Sequence, residues 1–156
     1  MSVTLSWGKC TVSVKSLTDS DASWEDFATP VEDSTTLETE EGDKLEAKIE
    51  GGENEAVKYK KSTYTLEYEV RQAPEREDPI TGENGVVAGE WSVLVVPEEE
   101  GALSVYMPRA VCSIQKSYTA EEGIKHTYRF DALVPDDGSE SVQFPTTSEV
   151  TTIKGE

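Results

Sequence analysis

The chain has 156 residues, and 32 Asp and Glu against 14 Lys and Arg give it a net charge of −18. That surplus of carboxylates excludes capture of nucleic acid through phosphate contacts, which needs clustered cations. The length suits one domain over residues 1–156, enough to bury a core without disulfides or metals, and no stretch approaches the apolar length of a membrane span.

The opening "MSVTLSWGKC" has no basic segment followed by an apolar run. It reads as the start of a soluble chain made in a reducing compartment. "KCTVSVKS" then sets Cys10, Val12 and Val14 on one side and Thr11, Ser13 and Lys15 on the other, the alternation of a half-buried strand. "DSDASWEDFATP" breaks that period. Asp19, Ser20 or Asp21 as cap, Glu25 and Asp26 in the first turns, and Trp24 with Phe27 as an i, i+3 pair before Pro30 predict one short helix.

Alternation returns in "KLEAKIE", with Leu45, Ala47 and Ile49 expected inward and Lys44, Glu46, Lys48 and Glu50 outward. Gly51 and Gly52 permit a turn, and Ala56–Tyr59 reads as a short returning strand. "TYTLEYEVR" is the cleanest case: Tyr64, Leu66, Tyr68 and Val70 oppose Thr63, Thr65, Glu67, Glu69 and Arg71. The Pro- and Gly-rich connection at about 72–88 is longer than a hairpin needs. "EWSVLVVP" is apolar on both parities, as in a strand covered on both faces. "AVCSIQKS" and "IKHTYRFDAL" alternate again, and residues 146–156 read as an extended terminal arm. The fold class expected is mainly β, an antiparallel sandwich or barrel with one short flanking helix and a long inter-strand loop.

Residues that carry chemistry are sparse. His126 is the one histidine and shares the apolar parity of Ile124, Tyr128 and Phe130, which makes it a core or core-edge residue. The serines lie in neither a nucleophile elbow nor an SxxK arrangement, and the glycines of "GGENE" precede no apolar helix that would cradle phosphate. "DSD", "EREDPITGEN" and "PDDGSE" offer loop carboxylates but none has the ligand spacing of an EF-hand. No catalytic residue, metal or cofactor is implied, and the chain is not read as an enzyme. Cys10 and Cys112 both fall on apolar parities, either as two buried free thiols or as one cross-strand disulfide.

The acidic outward faces are the remaining feature. Glu46, Glu50, Glu67 and Glu69 share the polar parity of long strands, and Lys44, Lys48 and Arg71 offset only part of their charge. Like charges across paired strands cost stability unless something outside folding favours them.

"PVEDSTTLETEEGDKLEAKIEGGENEAVKYKKSTYTLEYEV", "ENGVVAGEWSVLVVPEE" and "SYTAEEGIKHTYRFDALVPDDG", in that order, resemble the major tail tube proteins of long-tailed bacteriophages. The resemblance implies a structural virion protein, located in the tail and in the bacterial host cytoplasm during assembly. Such subunits form rings, usually hexameric, that stack with other tail proteins into a hollow tube through which DNA passes without specific binding. It further implies that Glu46, Lys48, Glu50, Thr65, Glu67 and Glu69 line the bore. Loop residues Glu75, Arg76, Glu77, Asp78 and Ile80, with the terminal arms, would then reach neighbouring subunits. The residues also admit another class of function: an acidic β-sandwich binding or adhesion module, working as a monomer, with Trp7, Trp24 or Tyr106 as a carbohydrate or protein platform.

Overall fold

The computed structural model describes residues 3–19 and 21–155. Its strands are β1 (Cys10–Ser16), β2 (Glu25–Asp26), β3 (Thr36–Glu40), β4 (Lys44–Lys48), β5 (Asn54–Tyr59), β6 (Thr63–Arg71), β7 (Trp91–Pro97), β8 (Val105–Thr119) and β9 (Gly123–Ala132), followed by one helix, α1 (Thr147–Lys154). Seven strands form one antiparallel sheet in the order β2-β1-β7-β8-β9-β6-β3, and β4 and β5 pair only with each other. The fold is mainly β and sandwich-like, with one short helix, as the alternating pattern predicts.

The sheet wraps around a single core. Val12, Val14, Val93 and Val95, near one end of the strand order, belong to the same buried cluster as Leu66, Tyr68 and Val70 near the other. Residues 27–34 bridge the two ends: the Phe27 amide donates to the Val12 carbonyl at 2.9 Å, and the Val31 amide donates to the Glu69 carbonyl at 2.8 Å. Phe27 also fills the centre, with its ring 5.3 Å from Tyr68 and 4.7 Å from Tyr128. All four residues Ser92 to Val95 of β7 are buried, so this strand is covered on both faces as its sequence requires.

The helix lies elsewhere than expected. Between Asp19 and Pro30 the described residues contain no helix; Glu25 and Asp26 pair with Val14 and Ser13 of β1 instead. A helix would set Trp24 and Phe27 on one side. As extended chain they diverge: Phe27 enters the core, and Trp24 packs 6.5 Å from Tyr106 on the opposite face of the sheet. The proposed cap at Ser20 lies outside the described residues.

The terminal arm carries the helix. Thr146 stands at its N-cap with Glu149 in the first turn, Lys154 in the last, and Gly155 in the left-handed region at φ 77° closing it. Its Val150 is buried, together with Leu94 and Ala102 and apart from the main cluster. Backbone pairing of Gln143 with Tyr106, both bonds at 2.8 Å, brings the chain across the start of β8, and Lys154 at the end of α1 reaches Ser13 of β1. The arm is therefore a docked element of the domain.

Candidate functional site

The β4–β5 hairpin departs most from the burial its sequence encodes. Gly51 and Gly52, at φ 97° and 89°, make its tip, while Gly42 at its base sits against the carbonyls of Lys60 and Lys61 with no room for a Cβ. In the register Leu45 faces Lys58 and Ala47 faces Ala56, whereas Lys44 faces Tyr59 and Glu46 faces Val57. Directly opposed residues share a face, so Leu45, Ala47 and Ala56 share one, mainly apolar, side with Lys58, with Ile49 next in the alternation, while exposed Val57 and Tyr59 share the other side with Lys44 and Glu46.

Among the described residues, nothing lies over the side that carries Leu45 and Ala47. Every residue of both strands is exposed, Leu45 at 49% and Ile49 at 46%. The expectation that Leu45, Ala47 and Ile49 point into the core is corrected: their alternation is real, but they are exposed and no described residue buries them. A two-stranded sheet alone is only marginally stable in water. The polar side is more settled, since Glu46 accepts from Lys44 at 2.6 Å and lies 3.7 Å from Lys48. Residues 43–61 hold five Lys against five Asp and Glu, so the hairpin is locally neutral on a chain of net charge −18.

Thr65, Glu67 and Glu69 lie on β6, half-buried on the face opposite the core. They are not beside the hairpin: β6 pairs with β3 and β9, while β4 pairs with β5 alone. Glu46 and Glu50 therefore form no cross-strand row with Glu67 and Glu69. Across the β6–β9 register Thr65 faces Asp131, Glu67 faces Arg129 and Glu69 faces Thr127. Lys125 lies 3.3 Å from Glu69 and 2.6 Å from Glu122. Hydrogen bonding to Glu122 comes first among the causes that hold the Lys125 ammonium above its ordinary pKa. The outer face of β3, β6 and β9 thus carries Glu38, Glu67, Glu69 and Asp131 interleaved with Lys125 and Arg129, and the opposed charges relieve much of the like-charge cost expected from sequence.

The 72–88 loop is split in its roles. Glu75, Arg76 and Glu77 are exposed, but Ile80 is buried at 1% exposure and Val86 bridges to Ser113 of β8. Asp78 is largely enclosed, 3.8 Å from His126 Nδ1. Burial first lowers the His126 pKa, against the opposing pull of Asp78. His126 is a core-edge residue, its ring edge-on to Tyr128 at 6.2 Å. Of the loop residues expected to reach a neighbour, only Glu75, Arg76 and Glu77 are available; Ile80 belongs to this subunit's own core.

Both cysteines are free thiols. Cys112 is buried, which pushes its pKa up to about 12. Cys10 is half-buried, with its sulfur 3.7 Å from the Thr35 hydroxyl. The aromatics considered as a platform are dispersed: Trp7 is exposed, whereas Trp24 and Tyr106 are half-buried against each other. Sequence reasoning overlooked one further feature, a cleft of about 600 Å³ where the starts of β1 and β3 approach each other, lined by Cys10, Val31, Leu37, Val95, Leu103 and Val105. No protein-family model matches the chain, and no curated protein matches it.

Proposed function

We propose that this chain is a structural subunit that assembles into stacked rings forming a phage-type tail tube, an acidic-lined channel for DNA. One observation carries the reading: the β4–β5 hairpin presents a mainly apolar side, with Leu45, Ala47 and Ile49, that no described residue covers. Exposed apolar strands with free edges are an aggregation hazard in a monomer, and a second subunit removes the hazard by covering them. The resemblance of residues 30–70 to tube subunits supports the same reading.

In such a ring the polar side of the hairpin, with Glu46, Lys48 and Glu50, and the outer face of β6, with Thr65, Glu67 and Glu69, are the surfaces for the bore. Carboxylates release no counterions from a phosphate backbone and repel it within about 8–10 Å at physiological salt, so DNA slides without sticking. Glu69 is neutralised by Lys125, which leaves Glu67 as the freer charge on β6. The net charge of −18 keeps separate subunits soluble and opposes their association until contacts overcome it.

Negative-stain electron microscopy of concentrated protein at low and high salt tests this reading. Hollow rings or tubes that multiply as salt screens the repulsion are expected. Compact single particles under every condition contradict it.

A further inference from the structure

Among the described residues the hairpin and the β1–β3 cleft are two uncovered apolar features, one convex and one concave. The cleft has aliphatic walls in Leu37, Val95, Leu103 and Val105, and the apolar side of the hairpin offers Leu45, Ala47, Ile49 and Ala56. Their charges also match. Glu32 and Asp33 stand at the cleft with Lys9, two carboxylates against one ammonium, while Lys58, directly opposite Leu45 in the hairpin register, forms no ion pair among the described residues. Elsewhere the subunit surface is strongly anionic, so the neutral, lysine-bearing hairpin is the element that approaches another copy with least repulsion.

We infer that the apolar side of the β4–β5 hairpin of one copy seats in the β1–β3 cleft of the next, with Lys58 against Glu32 and Asp33. This rests on the assembly reading and names its contact. The two surfaces differ, so the contact is heterologous and propagates from copy to copy until a ring closes, rather than ending at a two-fold dimer. Burial of Leu45 and Ile49 supplies the apolar gain that their exposure in the single chain withholds.

Cys10 provides a native probe, because it lines the cleft while Cys112 is buried with a thiol too weakly acidic to compete. Leu45→Cys protein is treated with the thiol oxidant diamide at high salt, separated on a non-reducing gel, and digested for mass spectrometry. A covalent ladder joined between position 45 and Cys10 of different chains is expected, and is lost in Leu45→Cys/Cys10→Ser. Glu46→Cys, on the other side of the hairpin, is expected to form none. A dimer linked 45 to 45 that survives Cys10→Ser, or a link closed within one chain, overturns the proposed contact. Multimers by light scattering without any link to Cys10 overturn it and leave the tube reading standing. A monomer with no link overturns both.

Discussion

Lys154 Nζ, in the last turn of α1, lies 3.3 Å from the hydroxyl of Ser13, a residue wholly buried in β1. The same ammonium lies 3.9 Å from Asp26 of β2, which itself accepts from Ser13. The end of the chain is thus tied to its first two strands. Val150→Ala removes two buried methyl groups and is expected to cost about 1–2 kcal/mol, measured by urea unfolding. Deletion of residues 147–156 is expected to cost more, because it also removes the Lys154 contacts to Ser13 and Asp26. A tail deletion with unchanged stability contradicts this docking.

Ile80 anchors the long loop. Ile80→Ala is expected to destabilise the domain by about 2–5 kcal/mol. Glu75→Ala and Glu77→Ala, at exposed positions, are expected to stay within about 0.5 kcal/mol of the parent. The contrast between these variants in chemical denaturation separates the loop's internal packing from its free tip.

His126 gives the domain a pH dependence with a defined sign. Burial holds its pKa below the ordinary 6.5, so the unfolded chain binds the proton more readily than the folded one. Its contribution is fully present above that ordinary value and declines as pH falls below it. Asp78, Lys116 and Tyr128 are the titratable groups around it. Unfolding of the parent and His126→Gln at about pH 7.5 and about pH 5.5 is expected to show a smaller acid-side loss in the variant. Equal losses contradict the assignment.

Glu67 and Glu69 differ in what holds them. Glu67→Lys is expected to leave the subunit folded, since Glu67 forms no ion pair among the described residues. Glu69→Lys sets two ammonium groups together at Lys125 and is expected to lower the melting temperature. Thermal unfolding of the two variants measures the difference. In an assembled tube, Glu67→Lys is expected to retard DNA passage, because a cation at the bore exchanges counterions with the phosphates.

Much of the sheet was legible because alternation reports burial directly. Tyr64, Leu66, Tyr68 and Val70 of β6 turn towards the core as their spacing requires, and β7 is covered on both faces. Two elements misled for physical reasons. Asp, Ser and Glu around Trp24 are good helix-start residues, yet edge pairing with β1 and the aromatic contacts of Phe27 outweigh that local preference. "TSEVTTIK" is rich in β-branched residues that obscure a helix, although Thr146 with Glu149 and the closing Gly155 carried the signal. The hairpin shows a different limit. The alternation of Leu45, Ala47 and Ile49 reveals that a face is to be buried, and contains nothing about whether the covering surface belongs to the same chain.

Light scattering on the parent and on Leu45→Asp/Ile49→Asp, over a range of concentration and salt, tests the central claim most directly. Both side chains are exposed in the single subunit, so the variant is expected to fold normally. The parent is expected to rise above its monomer mass of 17.1 kDa as salt and concentration increase, while the variant remains there. A parent that stays at the monomer mass throughout, or a variant that assembles as readily as the parent, contradicts the account.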